Sequence, residues 1–159
     1  KVDSFEIAEN LGEKLRSLAM EIVGWEGIME DDLRFDSSVV TRHGHQEGAL
    51  KGYNPKKHGR SSHHPLIAFI GSGHIVNLWN RSGNASSGNG IVEFFRQTAR
   101  SVEREIRVKR VMADTGYYLI SFIEHLEQNG YPCIISAPMS RMLQPKICDI
   151  KGGLVLMRV

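Results

Sequence analysis

Leu33-Arg34-Phe35-Asp36-Ser37-Ser38-Val39-Val40-Thr41 is the stretch whose period sets the fold. Leu33, Phe35 and Val39 fall on one side of an extended chain, Arg34, Asp36 and Ser38 on the other. A period of two predicts a β-strand with a carboxylate on its second face. A second strand is expected over Ile106 to Ala113, where Val108 and Met112 alternate against Arg107 and Lys109. It closes on Asp114-Thr115-Gly116.

Between these two lie two short apolar runs, Pro65 to Ile70 and Ile75 to Trp79, separated by Gly71-Ser72-Gly73, which predicts a hairpin. The polar stretch Arg81 to Gly90 leads into a helical face of Ile91, Val92, Phe94, Phe95, Thr98, Ala99 and Val102. Upstream, Leu11, Leu15, Leu18 and Ile22 share one face, so Phe5 to Val23 reads as an amphipathic helix broken by Gly24 and Gly27. Downstream, Leu119, Phe122, Ile123 and Leu126 mark a helix ended by Asn129-Gly130. Tyr131 to Ala137 is the next strand, and Leu154 to Val159 a further strand candidate. The order helix, strand, hairpin, helix, strand, helix, strand implies an α/β mixed sheet with helices packed on its faces.

The chain has 159 residues, 41% hydrophobic and 24% charged, which is one domain's worth with a sizeable core and excludes a disordered chain. No apolar run approaches the ~18 residues of a membrane span, and Lys1 to Ile7 is too charged for a signal peptide. Cys133 and Cys148 fit a reduced, cytoplasmic setting better than a disulfide scaffold. The first residue is not Met, which fits a piece of a longer protein.

A net charge of +2 is too small to argue for nucleic acid by itself, but the charge is unevenly placed. From Arg42 to His64 the basic residues are Arg42, Lys51, Lys56, Lys57 and Arg60, against Glu47 alone. His43, His45, His58, His63 and His64 share this stretch. Its glycines and Pro55 predict a basic loop rather than a helix or central strand. Such a loop is a solvated surface or a binding element.

Asp36 and Asp114 each end or interrupt an apolar strand, where a carboxylate needs a partner. Neighbouring strands lie about 4.8 Å apart, so carboxylates at matching levels converge. A divalent cation, most plausibly Mg²⁺, would relieve their repulsion. The plain alternatives are a helix cap at Asp114 and a turn at Asp36.

Several strings in order make the text more specific. Phe35-Asp36-Ser37-Ser38-Val39-Val40-Thr41-Arg42-His43-Gly44-His45-Gln46-Glu47-Gly48-Ala49 is followed by Lys51-Gly52-Tyr53-Asn54-Pro55-Lys56-Lys57 and Ser62-His63-His64-Pro65-Leu66. Arg81-Ser82-Gly83-Asn84 and Ala113-Asp114-Thr115-Gly116-Tyr117-Tyr118 come next. Together, from about Leu33 to Met142, they resemble the DDE transposases of bacterial insertion sequences, in the cut-and-paste branch with an inserted β region. The resemblance implies a ribonuclease-H-like core over 31–145, preceded by an N-terminal helix over 1–30 and followed at 146–159 by a tail or the start of the inserted segment. Asp36 matches the family's first acid and Asp114 its second.

The family's third acid, a Glu, lies on a helix beyond the fifth strand and the insertion. Glu124 and Glu127 precede that strand, and Asp149 lies in an irregular tail, so none is assigned. The chain reads as ending before the third acid, and little or no DNA cleavage is expected of it alone.

By resemblance, the complete enzyme holds two Mg²⁺ or Mn²⁺ ions ~3.5–4 Å apart for in-line phosphodiester hydrolysis and strand transfer. Asp36 would bridge both ions and Asp114 bind one. The expected partners are double-stranded DNA, at element ends and target, and a second copy in a synaptic complex, in the cytoplasm at the nucleoid. Arg42, Lys51, Lys56, Lys57, Arg60 and Arg81 are the candidate DNA contacts, with Asn84 at the border of the same face and Trp79 either there or, by preference, in the core. Competing readings are a His-rich zinc module, a non-enzymatic remnant that binds DNA or partners, and a nuclease cutting RNA in a hybrid.

Overall fold

The computed structural model describes residues 4–44, 46–54 and 57–139, with side chains from Glu9 onward. His45, Lys56, Cys148, Asp149 and the strand expected over Leu154 to Val159 lie outside the described residues. In chain order the elements are α1 (Ser4–Trp25), β1 (Glu30–Ser37), β2 (Val40–Thr41), β3 (Leu50–Lys51), β4 (Ser61–His63), β5 (Leu66–Ile70) and β6 (Ile75–Trp79). They continue with α2 (Ile91–Val102), β7 (Arg107–Ala113), a 3₁₀ turn (Thr115–Tyr117), α3 (Ile120–Gln128) and β8 (Cys133–Ile135).

Five strands form one mixed sheet in the order β6-β5-β1-β7-β8. β1 pairs antiparallel with β5 and parallel with β7, and β7 pairs parallel with β8. This is the ribonuclease-H-like arrangement: a hairpin on one side of the first strand, crossover strands on the other. β1 stops at Ser37, short of the strand end expected at Thr41. Ser38 N–H donates to the Pro65 carbonyl at 3.3 Å, and Pro65 has no N–H with which to continue the ladder. Val40 and Thr41 therefore leave the main sheet for a second one.

That second sheet is small, in the order β2-β4-β3, and corrects the expectation of a loop without a central strand. Ser61-Ser62-His63 contains neither Gly nor Pro and can take a partner on each edge. Two glycines let its neighbours close in. A Cβ on Gly52 would collide with the Gly83 carbonyl, and one on Gly83 with the carbonyls of Ser62 and Leu50.

β6 to β7 through α2, and β7 to β8 through α3, move the same way across the sheet. Right-handed crossovers then put both helices on one face. Phe35 of β1 meets both there, edge-on to Phe94 of α2 at 5.9 Å and to Phe122 of α3 at 6.2 Å. Leu33, Ala68, Ile70, Val76 and Val111 of the sheet share that core with Met20 and Val23 of α1. The register sets Arg34, Ile67, Phe69, Leu78, Met112 and Ile134 on the opposite face. The leucine face of α1 read from the sequence points away from the core, and Met20 and Val23 point in.

Candidate active site

Phe35 is the Cα partner of Ala113 across the parallel β1–β7 pair. Asp36 follows Phe35 on β1, and Asp114 follows Ala113 just past the end of β7, as the cap of the 3₁₀ turn. That register puts both at the carboxyl ends of neighbouring strands, and both are exposed. Each is partly tied down by local backbone. Asp36 Oδ1 accepts the Ser37 N–H at 2.7 Å, and Asp114 Oδ1 accepts the Gly116 N–H at 2.9 Å. The cap expected at Asp114 is thus present, on a 3₁₀ turn. It leaves Oδ2 of the same carboxylate without a bond among the described residues, so capping and cation binding are compatible.

Next to Asp36, Ser37 belongs to a partly buried polar chain. Ala85 O accepts from His64 Nδ1 at 2.5 Å, so His64 Nε2 is left to accept from the Ser37 hydroxyl at 3.2 Å. Ser37 Oγ then accepts from the Ser87 hydroxyl at 2.9 Å. Tyr117 is fully buried near both acids, its hydroxyl without a hydrogen-bond partner among the described residues. Burial pushes the phenol up to about 12; the nearby carboxylates of Asp114 and Asp36 add to this, while the Ser37 hydroxyl and Arg81 oppose it. One phenol senses both acids. Tyr117 is a neutral group at neutral pH.

Arg81 is the hub of the adjoining turns. Nε–H donates to His64 O at 3.1 Å, and Nη1 donates to Ser86 O at 2.9 Å and Asn89 O at 2.6 Å. Its Nη2 is buried without a partner among the described residues. This guanidinium ties the start of β5 to the turn before α2, and burial lowers its pKa from the usual arginine value.

Of the other expected DNA contacts, Lys51, Lys57 and Arg60 are exposed on the small sheet and its loop. Arg42 is half-buried and donates to His63 Nδ1 at 2.8 Å. His63 Nε2 in turn donates to Glu47 O at 2.9 Å, which fixes a neutral tautomer with both ring nitrogens engaged. His63 and His64 are therefore structural, and His43 and His58 are exposed. Among the described residues no three His, Cys, Asp or Glu side chains come together as a metal cluster. No described helix is long and apolar enough to cross a membrane.

Sequence reasoning passed over Ser37, Ser87 and Tyr117, and weighed His64 only as a metal ligand. The signal for Tyr117 lay in its position directly after the Asp114-Thr115-Gly116 turn, where a large apolar ring follows a chain reversal. Ser87 gave none.

Comparison with known proteins gives one family. A model described as "Transposase DDE domain group 1" matches residues 32–154. No curated protein matches the sequence. Among solved structures, the chain is similar to the piggyBac transposase synaptic complex with hairpin DNA, with 16% identity and a TM-score of 0.48 over 78% of this chain and 27% of that one. It is also similar to the Mos1 transposase paired-end complex with left transposon end, with 10% identity, a TM-score of 0.47, and 84% and 52% of the two chains covered. A Mos1 mariner paired end complex with Mn gives 13% identity, a TM-score of 0.41, and 84% and 47% covered. The chain spans about a quarter to a half of these structures' own length.

Proposed function

Since the chain belongs to the transposase DDE domain family through residues 32–154, we propose that the Asp36–Asp114 edge is part of a centre for phosphodiester hydrolysis and strand transfer on DNA. The observation that supports this is the β1–β7 register, which pairs Phe35 with Ala113, the residues directly before the two acids. Hard carboxylate oxygens at matched strand ends suit Mg²⁺ or Mn²⁺. Such ions, when bound, polarise the phosphate and stabilise the attacking and leaving oxygens.

The chain's own residues have three parts in this reading. Asp36 and Asp114 supply cation ligands, one of them held in a fixed orientation by the Gly116 N–H. Ser37, Ser87 and His64 fix the end of β1. Lys51, Lys57 and Arg60 give the small sheet a positive surface for backbone phosphates, with Lys56 between them in sequence. Arg42 and Arg81 serve mainly to hold that surface against the sheet edge, since their guanidinium groups already bond within the protein. DNA transposition joins element ends, and the reading includes association of two copies of the chain.

The zinc-module reading has less support, because His63 and His64 use both ring nitrogens in hydrogen bonds. The test is a Mn²⁺ titration of the chain, read by paramagnetic broadening of amide signals. Selective loss of the signals around Asp36 and Asp114, abolished by Asp36→Ala and by Asp114→Ala, supports the reading. Uniform weak broadening, or broadening centred on the histidines, overturns it.

A further inference from the structure

α1 carries an apolar stripe that its own fold leaves in water. Leu11 is 56% exposed, Leu15 59%, Leu18 50%, Ile22 37% and Trp25 79%. These five recur at alternating steps of four and three, the spacing of a coiled-coil seam rather than of a core-facing helix. The residues that anchor α1, Met20 and Val23, lie on a different side of it. A continuous row of large apolar side chains of this kind is unusual on a monomer's surface.

We propose that this seam is a two-fold interface with a second copy of the chain, the two α1 helices packing antiparallel. The flanking charges decide both partner and direction. Lys14 and Glu21 are exposed and border the seam on the same side, one heptad apart. When Leu15 of one copy layers against Leu18 of the other, Lys14 of each faces Glu21 of its partner, and the two-fold axis makes this pair twice. A parallel pairing instead sets Lys14 against Ala19 and Glu21 against Glu26, with no opposite-charge pair in either. The sequence is therefore self-complementary in one orientation only. The proposal rests on the self-association part of the functional reading and not on the carboxylate site.

Sedimentation velocity of the 159-residue chain at low salt tests it. A short seam of this kind gives a monomer–dimer equilibrium with a Kd on the order of 10–100 µM. Leu15→Glu with Leu18→Glu yields a monomer whose circular dichroism and melting temperature match the parent. Lys14→Glu weakens the dimer about tenfold, and adding Glu21→Lys restores it, because the pair is merely inverted. A parent that stays monomeric up to several hundred micromolar, or a dimer untouched by the leucine changes, overturns the proposal. So does a doubly reversed variant that associates no better than Lys14→Glu. Asp114→Asn leaves the dimer intact, which separates failure of this interface from failure of the cation site.

Discussion

Replacing Asp114 by Asn should make the cation-free chain more stable. Asn keeps the oxygen that accepts the Gly116 N–H, and Asn and Asp are comparable at a cap position. What is lost is one of two negative charges on neighbouring strands, roughly 5 Å apart by strand geometry. Coulomb's law gives about 0.8 kcal/mol of repulsion at the dielectric of water and about 3 kcal/mol at an effective value of 20. Both carboxylates are exposed, so the lower figure governs and a gain of about 1 kcal/mol is expected. Urea denaturation in EDTA at low ionic strength measures it. Near 1 M salt, where the screening length falls to about 3 Å, the gain should largely vanish. With Mn²⁺ at about ten times its Kd, the parent gains about 1.4 kcal/mol through binding and the order reverses. An Asn variant no more stable than the parent in EDTA at low salt would refute the convergence of the two acids.

The Tyr117 phenol, raised to about 12, favours its neutral form in the folded state. Its contribution is complete below the unfolded value near 10 and is lost as pH rises through 12. At pH 11 this costs about 1 kcal/mol. Tyr131, raised to about 12 by burial and its bond to Glu103, adds a smaller loss because it is more exposed. Melting curves of Tyr117→Phe should show a shallower fall between pH 9 and pH 11 than the parent; equal slopes would remove Tyr117 as a titrating group. Asp32 is buried and paired with Arg110 through bonds of 3.0 and 2.7 Å, which hold its pKa below the usual carboxylate value. Asp32→Asn should lower the urea midpoint above about pH 5, with the deficit fading as acid protonates the parent's Asp32. On DNA, Lys51→Ala should reduce the slope of log affinity against log salt by about one unit. Arg81→Ala should instead lower the melting temperature, because it leaves the carbonyls of His64, Ser86 and Asn89 without their shared donor.

Main-chain architecture was readable because its signals are local. The alternation at Leu33 and Phe35 and the Gly71-Ser72-Gly73 break each fix an element through nearest neighbours, and the order of those elements leaves few topologies. The end of β1 was not readable. It depends on Pro65, 27 residues further along, lying opposite Ser38 and ending the ladder there. The face of α1 failed for a related reason. Periodicity identifies an apolar stripe but not what covers it, and here the inward positions are Met20 and Val23 while the stronger leucine stripe looks outward.

At the site the same limit separates the aspartates from the arginines. Asp36 and Asp114 stand out in the sequence because a carboxylate closing an apolar strand is locally anomalous, and the parallel pairing of Phe35 with Ala113 puts the two at neighbouring strand ends. An arginine in a glycine- and serine-rich turn is not anomalous, since phosphate oxygens and backbone carbonyls satisfy a guanidinium equally well. The choice at Arg81 is made by the turn from Ser86 to Asn89, which curls its carbonyls inward and supplies acceptors within the protein. Lys51, Lys57 and Arg60 have no such cage among the described residues and are exposed to solvent. Counting basic residues therefore overstates the proposed phosphate-binding surface by those whose donors the fold has already taken. The salt slope of DNA binding should follow the exposed lysines and Arg60 rather than the full basic count of the segment.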